Sequence, residues 1–205
     1  MGNRSQSIVA RCPDCRMQPA MCVCHLVPRL VLRTRVAIVM HRRERLKTTN
    51  TGQLALHALT NSALFMWGDE GTTIAPEALV PDGQHAFVLT PAGSTTLTPE
   101  VVRELQARGR DLTMVVPDAT WRQANKMVRR IPAVAALPRY GLPQGAPSRY
   151  LLRSEPREDG LATIEAIARA LALLEGPEVA EALERPFHAM VKGTLRTRGC
   201  VLPEA

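Results

Sequence analysis

Residues 111–121 read DLTMVVPDATW, and this stretch decides the fold because it joins a buried strand to the start of a helix. The β-branched and apolar side chains of 111–116 predict a strand. Pro117 and Asp118 end that strand, and a helix is expected to begin near Thr120. Strands that alternate with helices in this way are typical of α/β proteins with a largely parallel sheet.

The same alternation continues on both sides of this stretch. Further strands are predicted at 34–40, 85–90 and 148–152. Besides the helix near Thr120, helices are predicted at 50–67, from Thr98, at 161–174, and from Pro177, the last to be kinked or divided at Pro186. A loop rich in Pro and Gly connects 138 to 147. We therefore expect an α/β fold, with a mostly parallel sheet and flanking helices.

Composition narrows the class of protein. The chain has 205 residues, of which 45% are hydrophobic but only 3% aromatic, so Leu, Val, Ala and Met must fill the core. No apolar run approaches the roughly 18 residues that a membrane span needs. The first residues, MGNRSQSIVARC, lack the long apolar stretch of a signal peptide, so the cytoplasm is the expected compartment.

The charge balance favours an anionic partner. The formal net charge is +7, from 26 basic and 19 acidic residues. A basic surplus attracts phosphates, and nucleic acid is the commonest such partner. Nearly all of the basic residues are Arg, however, which the base composition of a genome explains equally well. Charge alone therefore leaves a nucleic-acid partner open.

Four of the five cysteines lie close together near the N-terminus, with the spacing C-x2-C-x6-C-x-C: Cys12, Cys15, Cys22 and Cys24. Tetrahedral zinc needs four soft donors about 2.3 Å from the ion, and this set leaves no coordination position open, so we predict structural Zn²⁺. Unmetallated or redox-active cysteines are the alternative, and His25 could replace Cys24. Cys200 stands alone and is expected to be incidental. We divide the chain into a cysteine-rich zinc-binding module at 1–30 and an α/β domain at 31–205.

Three later segments carry a resemblance to a known family. Residues 118–121 (DATW) match the signature D-x-T-W. Residues 41–44 (HRRE) and 50–54 (NTGQL) are similar to H-x-x-E followed by N-T-G-x-L. Residues 148–153 (SRYLLR) and 161–166 (LATIEA) are similar to a serine-led strand and the helix start L-x-T-x-E-A. These motifs, in this order, resemble the DTW-domain family.

The resemblance covers about residues 12 to 170, and the cysteine cluster in front fits the bacterial type of the family. It implies a tRNA-uridine aminocarboxypropyltransferase, which moves the 3-amino-3-carboxypropyl group of S-adenosylmethionine to N3 of a uridine and releases methylthioadenosine. The expected target is the variable-loop uridine at position 47 of tRNA. The resemblance also implies a SPOUT-like, knotted fold for the DTW catalytic domain, with S-adenosylmethionine in loops at the carboxyl ends of parallel strands.

Two other functions stay open at this point. One is a SPOUT-like RNA methyltransferase with the same cofactor, and the other is a non-catalytic zinc-containing RNA-binding protein. The sulfonium activates three carbons, so the geometry of the site decides which of them reacts. Release of methylthioadenosine distinguishes aminocarboxypropyl transfer from methylation, which releases S-adenosylhomocysteine.

Three residues of the D-x-T-W segment are the candidate catalytic residues. Asp118 follows a strand end, where α/β sheets place their ligands, and its carboxylate is expected to accept the N3 proton of the uridine. Its alternative role is the N-cap of the following helix. Trp121 is expected to stack on a base or to wall the cofactor pocket, with core packing as the alternative. Thr120 is expected to support the turn through local hydrogen bonds.

The loops after the strands supply the candidate cofactor-binding residues. Backbone N–H groups in the turn at 90–94 are placed to face the methionine carboxylate, although a tight turn without a ligand has the same pattern. Leu89 and Leu152, at strand ends, are expected adenine contacts. Thr163 begins a helix, where simple capping is the alternative. The candidate set is Leu89, Pro91, Ser94, Pro117, Leu152, Ser154 and Thr163.

The segment after the first strand is expected to wall the substrate site. His41 and Glu44 lie just past that strand, and His41 is expected to position the substrate. Cations at 42–47 and at 122–130 would form a phosphate-contacting rim for tRNA if both flank the pocket, and a solvated helix face is the alternative. The candidate substrate-binding residues are His41, Arg42, Arg43, Asn50, Thr51 and Arg122.

Overall fold

The sheet is the centre of the fold. The computed structural model describes residues 11–93, 95–109, 111–152 and 160–200. Within them the strands are β1 Arg35–His41, β2 Ser62–Trp67, β3 His85–Leu89, β4 Thr95–Thr96, β5 Leu112–Asp118 and β6 Arg139–Gly141. Their order across the sheet is β2-β1-β5-β3-β6-β4, and each neighbouring pair is parallel.

Helices connect these strands and cover both faces of the sheet. They are α1 Thr51–Ala58, α2 Pro76–Leu79, α3 Pro99–Ala107, α4 Trp121–Arg130, α5 Pro132–Ala135, α6 Thr163–Leu174 and α7 Pro177–Thr197. Two short 3₁₀ helices, Pro19–Met21 and Cys24–Leu26, precede β1. No helix of the described segments has both the length and the hydropathy that a membrane crossing requires.

Two apolar layers form the core, one on each face of the sheet. Side chains of a strand alternate between faces, and this explains how β1 serves both layers. Ile38 of β1 packs in one cluster with residues of α1, α6 and α7. Its neighbour Val39 packs in the other, with Met127 of α4 and Val134 of α5. A strand buried on both faces reads as a continuous apolar run, as both β1 and β5 do.

The strand register brings three loops to one edge of the sheet. Met40 of β1 is paired with Asp118 at the end of β5, and Val88 of β3 is paired with Val115, three residues before Asp118. Because the strands are parallel, the chain leaves β1, β3 and β5 at the same edge. The segments after His41, Leu89 and Asp118 therefore lie side by side.

The cysteine-rich segment packs against α7. Cys15, Met17 and Val23 are buried in the apolar cluster that also contains residues of α6 and α7. A Cβ atom on Gly193 of α7 would lie 3.3 Å from Cε of Met17, so a glycine allows this close approach. The division into a module at 1–30 and a domain at 31–205 stays a prediction.

The α/β class and the mostly parallel sheet are confirmed. Strands lie where they were predicted at 34–40, 85–90 and 111–116. The knot that the resemblance implies stays a prediction.

The prediction of one helix at 50–67 is wrong. The helix ends at Ala58, and Ser62–Trp67 forms strand β2 beside β1. Apolar residues in so short a window fit both periods, and the pairing with β1 decides between them. A local hydrogen bond stabilises the turn between α1 and β2, since Ser62 Oγ donates to the carbonyl of Leu59 at 2.7 Å.

Three other local predictions differ from the structure. Residues 148–152 form a loop rather than a strand, because their polar groups bond to Glu165 and Thr49 instead of to a neighbouring strand. The loop predicted at 138–147 contains β6. Pro186 does not divide the last helix, since α7 continues through it with Pro186 buried.

Candidate active site and metal centre

A cleft opens at the edge of the sheet where β1, β3 and β5 end. Its volume is about 1330 Å³, larger than the roughly 300–1,000 Å³ of common small-molecule pockets. The ends of β3 and β5 and the first turns of α1, α4 and α6 all contribute to its walls. The cleft therefore has room for two ligands side by side, as a group transfer requires.

Asp118 is the buried carboxylate of this cleft, with only 4% of its surface exposed. Its Oδ2 accepts a hydrogen bond of 2.6 Å from Nδ2 of Asn50, and its Oδ1 accepts one of 2.6 Å from Oγ1 of Thr163. Asn50 is the N-cap of α1, and Thr163 is the first residue of α6. Side-chain donors from the starts of two helices thus hold both oxygens of the carboxylate.

Gly52 lets the carboxylate come this close to α1. A Cβ atom on Gly52 would lie 2.7 Å from Oδ2 of Asp118, which is closer than real contacts allow. Asn50 also caps the helix, because its Oδ1 accepts a hydrogen bond of 2.9 Å from the backbone N–H of Gln53. The segment 50–53 therefore caps α1, donates a hydrogen bond to Asp118 and lets the carboxylate approach the helix backbone.

Thr120, not Asp118, occupies the N-cap position of α4, so the capping alternative for Asp118 is wrong. The backbone N–H and the hydroxyl of Thr120 both donate to Oε1 of Gln123, at 3.2 and 2.7 Å. Trp121 and Arg122 in the first turn of α4 line the cleft. Trp121 belongs to neither apolar cluster of the described residues, which argues against core packing as its role.

A ring of hydrogen bonds around Glu165 joins the first turn of α6 to the loop at 148–150. Glu165 is 4% exposed and accepts three hydrogen bonds, from Ser148 Oγ at 2.5 Å, Arg149 N at 2.7 Å and Ala162 N at 2.8 Å. The hydroxyl of Tyr150 then donates to the carbonyl of Thr49 at 2.5 Å. Thr49 leads directly to Asn50, the partner of Asp118. Glu165 therefore fixes the loop at 148–150 against the segment that holds Asp118.

Four of the candidate cofactor-binding residues line the cleft: Leu89, Pro91, Pro117 and Thr163. Leu152 is buried and does not line it, and its carbonyl accepts a hydrogen bond of 3.0 Å from Nη1 of Arg198. Ser94 and Ser154 lie outside the described residues. In the turn after β3, a Cβ atom on Gly93 would lie 2.3 Å from the backbone N of Gly141, so this turn requires glycine.

The candidate substrate-binding residues divide into two groups. Asn50, Thr51 and Arg122 line the cleft, whereas His41, Arg42 and Arg43 do not. Nδ1 of His41 accepts a hydrogen bond of 3.2 Å from the backbone N–H of Arg43, and its ring packs on Trp67 with centroids 5.8 Å apart. Burial lowers the pKa of His41, and the cations of Arg43 and Arg42 lower it further. His41 thus packs on Trp67 instead of lining the cleft, and Arg42 and Arg43 are exposed.

Sequence reasoning missed several lining residues, above all Tyr150 and Arg169. The sequence places Tyr150 in a strand, whereas its position in the structure depends on the hydrogen bond to Thr49. Arg169 lies six residues after Thr163 on α6, and Nη2 of Arg169 donates to the carbonyl of Ala146 at 2.6 Å. The spacing of Thr163, Ala166 and Arg169 on one side of a predicted helix was the one available signal.

The four N-terminal cysteines form a cluster whose geometry fits zinc. All four sulfur atoms lie within 4.8 Å of one another. Sγ of Cys12 lies 3.5 Å from Sγ of Cys24 and 3.7 Å from that of Cys22, and Cys15 lies 3.7 Å from Cys22. Four bonds of about 2.3 Å in a tetrahedron place sulfur atoms about 3.8 Å apart. His25 is not a member of this group.

The surroundings of these thiols shift their pKa values in opposite directions. Backbone N–H groups of Cys15 and Asp14 lower the pKa of the Cys12 thiol to about 7. Burial raises the pKa of the Cys15 and Cys24 thiols, because it disfavours an unpaired thiolate. Arg16 adopts a φ of 62°, a left-handed conformation that tightens the turn after Cys15. The donor set and its turns fit a divalent metal bound by four thiolates.

Comparison with known proteins gives three likenesses. The DTW-domain family model matches residues 9–195. The tRNA-uridine aminocarboxypropyltransferase 2 of Drosophila melanogaster is 24% identical over 189 residues, which are 89% of this chain and 74% of that protein. The structure of the SAM-dependent rRNA:acp-transferase Tsr3 from Vulcanisaeta distributa has a TM-score of 0.49 and 19% identity, over 80% of this chain and 79% of that one.

Proposed function

The chain belongs to the DTW-domain family, and we propose that it transfers the 3-amino-3-carboxypropyl group of S-adenosylmethionine to N3 of a uridine in tRNA. The Drosophila relative is named for this activity. The observation that carries the proposal is the carboxylate of Asp118, which is fixed between Asn50 and Thr163 inside a cleft large enough for both substrates.

The reaction is an in-line displacement at carbon. N3 of the uridine attacks Cγ of the methionine part, the bond between Cγ and sulfur breaks, and its electron pair neutralises the sulfonium. The products are the alkylated uridine and methylthioadenosine, and the N3 proton must pass to a base. The cleft has to hold Cγ, rather than the methyl carbon, in line with N3, so positioning decides the outcome.

Asp118 is the proposed proton acceptor. The hydrogen bonds from Asn50 and Thr163 hold the carboxylate in the wall of the cleft, where a bound uridine would present its N3 proton. These two donors also fix the orientation of the carboxylate before the substrate arrives. Trp121, from the same wall, is proposed to stack on a base or on the adenine, and Thr120 to hold the start of α4.

The cofactor is proposed to bind along the ends of β3 and β5. Leu89, Pro91, Pro117 and Thr163 line this part of the cleft. Thr90 lies between two of them and is held by its backbone, whose N–H donates to the carbonyl of Tyr140 at 2.9 Å. Roles in cofactor binding for Ser94, Ser154 and Leu152 stay proposals that rest on the family resemblance.

The tRNA is proposed to lie across the carboxyl edge of the sheet, in the cytoplasm, with the variable-loop uridine turned into the cleft. Arg122 lines the mouth, and the exposed Lys126 and Arg129 follow it on the same helix. Arg42 and Arg43 follow β1, the strand next to β5, and are exposed at the same edge. Cations from both neighbouring loops are therefore available to phosphates.

Zinc is proposed to have a structural role only. Cys12, Cys15, Cys22 and Cys24 would hold it, and the bound ion would cross-link the two short turns that carry them. The cluster packs against α7 through Cys15 and Met17, so it supports the fold from outside the cleft.

The decisive experiment is incubation of the purified protein with S-adenosylmethionine and unmodified tRNA, followed by mass spectrometry of nucleosides and of the released cofactor. We expect one aminocarboxypropyluridine for each methylthioadenosine. Methyluridine with S-adenosylhomocysteine would establish a methyltransferase instead. Binding of tRNA without either product would leave an RNA-binding protein, and the proposed function would be wrong.

A further inference from the structure

Two loops that border the cleft, through Thr49 and Tyr150, each present one leucine and one arginine to solvent. In the loop after β1, Leu46 is 73% exposed and follows the exposed Arg45. In the loop before α6, Leu151 is 58% exposed and lies two residues after the exposed Arg149. These leucines are two of the four large apolar side chains that are exposed in the described parts of the chain.

The loop that carries Leu46 is held in a defined conformation. Nζ of Lys47 forms a salt bridge of 2.5 Å with the buried carboxylate of Glu44. Successive backbone hydrogen bonds join Glu44 N to His41 O, Lys47 N to Glu44 O and Asn50 N to Lys47 O. Leu46 therefore projects from a series of ordered turns.

The loop that carries Leu151 is held by the ring of bonds around Glu165. The backbone N–H of Arg149 bonds to Oε1 of Glu165, and the backbone N–H of Leu151 bonds to the carbonyl of Arg149 at 3.0 Å. The hydroxyl of Tyr150 then ties this loop to Thr49 in the other one. Both leucines are thus displayed by segments that are fixed to each other.

Both leucines lie near the cleft. Thr49 and Tyr150, the two residues of the tie, line it. Leu46 is three residues from Thr49, a separation of at most about 11 Å along the chain, and Leu151 is adjacent to Tyr150. Exposed apolar side chains beside cations, at the mouth of a cleft, suit a ligand with both flat apolar faces and negative charges. Unstacked RNA has both.

We propose that Leu46 and Leu151 pack against the bases on either side of the modified uridine, while Arg45 and Arg149 contact the adjoining phosphates. This proposal rests on the proposed function and deepens it. N3 of a uridine in folded RNA reaches a cleft only when the nucleotide turns out of its stack. Apolar side chains that take the place of stacking neighbours stabilise the opened conformation.

The test is a double-mutant cycle between the leucines and the flanking bases. Leu46→Ser and Leu151→Ser are combined, and transfer is measured on tRNA transcripts with and without abasic nucleotides next to the modified uridine. We expect the double variant to lose about 10-fold or more in kcat/KM on intact tRNA. Removal of the flanking bases should cost the wild type a similar factor but the double variant less than about 2-fold, since the contact is already lost.

Val31→Ser is the matched control. Val31 is 82% exposed but precedes β1, at the opposite edge of the sheet from the cleft. This variant should transfer as the wild type does and should lose the same factor when the flanking bases are removed. Thermal unfolding of all variants checks that the exposed substitutions leave the fold intact.

Two results overturn the proposal: wild-type kcat/KM of the double variant on intact tRNA, or additive effects of the leucine and base removals. The first result would also be expected if the leucines served a protein partner. Absence of aminocarboxypropyluridine with the wild type would instead contradict the proposed function. In that case the same double-mutant cycle is measured with RNA dissociation constants in place of kcat/KM. It then tests the contact between the leucines and the flanking bases without depending on transfer.

Discussion

Nδ2 of Asn50 donates a hydrogen bond of 2.6 Å to Oδ2 of Asp118, across 68 residues of sequence. Asn50 caps α1 with its other amide atom, so the same side chain starts a helix and orients the carboxylate. Thr163, at the start of α6, holds the second oxygen. The proposed base is therefore positioned by the first residues of two helices, and its geometry is set before any substrate binds.

Replacement of Asp118 should remove transfer and spare tRNA binding. We expect Asp118→Ala to lower kcat by about 100-fold or more, because a positioned general base contributes about that much. The tRNA dissociation constant should stay near the wild-type value, since the cations of the rim are untouched. Release of methylthioadenosine measures the first quantity, and a filter-binding titration measures the second.

Asp118→Ala also leaves the donors of Asn50 and Thr163 without an acceptor, which could destabilise the fold. Asp118→Asn is therefore a second variant, because asparagine has almost the same volume as aspartate and keeps one acceptor oxygen. Both variants should fail in transfer even at temperatures where unfolding experiments show them folded. Transfer at near-normal rates by either folded variant would exclude Asp118 as the base.

Gly52→Ala should reduce activity although alanine is the better helix former. In an unconstrained helix this change stabilises by up to about 1 kcal/mol. Here the new Cβ would lie 2.7 Å from Oδ2 of Asp118, so the carboxylate or α1 has to move. We expect lower stability in urea unfolding and at least about 10-fold lower kcat.

Gly141→Ala is the control for this prediction, because a Cβ there would come no closer than 3.5 Å to the carbonyl oxygen of Thr90. It should retain stability and activity. A Gly52→Ala protein as stable and active as the wild type would show that the close approach to Asp118 has no consequence.

The sequence predicts the strands of the sheet better than it predicts the hydrogen bonds between residues of the site. Strands β3 and β5 are recognisable because they are buried on both faces and so form continuous apolar runs. Strand β2 is missed because SALFMW follows a helix with a pattern that suits either period, and only pairing with β1 decides.

Within the site, Asp118, Asn50 and Thr163 are all found as candidates from the sequence, but the hydrogen bonds that join them are not. Asn50 and Thr163 are separated from Asp118 by 68 and 45 residues, and no local pattern links them. Tyr150 is placed by a bond to Thr49, 101 residues away, and the local sequence around it predicts a strand instead. Contacts of this kind depend on tertiary packing, which a single sequence does not encode in any short window.

Glu165→Gln should destabilise the protein and weaken cofactor binding. The carboxylate accepts from Ser148, Arg149 and Ala162, and an amide would turn a donor toward one of these donors. We expect a loss of about 1–3 kcal/mol in the free energy of unfolding. The KM for S-adenosylmethionine should rise, because the first turn of α6 and the loop at 148–150 both line or border the cleft.

Glu100→Gln is the comparison for Glu165→Gln, since Glu100 lies in the first turn of α3 but is exposed. Its effect on the free energy of unfolding should be small, as is usual for substitutions at exposed positions. Equal effects of the two substitutions would contradict a special role for the buried carboxylate.

The cysteine cluster should bind one zinc ion per chain. We expect about one equivalent of zinc by elemental analysis of the purified protein, and sulfur neighbours at about 2.3 Å by X-ray absorption. Cys15→Ser should lose the metal and lower the thermal midpoint, because Cys15 is also buried against α7. Cys200→Ser, at an exposed cysteine outside the cluster, should change neither. Full zinc content in the Cys15 variant would remove that residue from the ligand set.

Stability should fall in mild acid because of His41. Burial, with Arg43 and Arg42 nearby, lowers the pKa of His41 below its ordinary value of 6.5. Below pH 6.5 the unfolded chain therefore binds a proton that the folded chain refuses, and the free energy of unfolding decreases as the pH falls toward the folded-state pKa. Protonation also turns Nδ1 of His41 into a donor that faces the N–H of Arg43, so the bond of 3.2 Å is lost.

Urea unfolding at pH values above and below 6.5 measures the effect. His41→Gln should flatten the dependence, whereas substitution of the exposed His57 should leave it unchanged. An equally steep fall in the His41 variant would assign the acid sensitivity to another group.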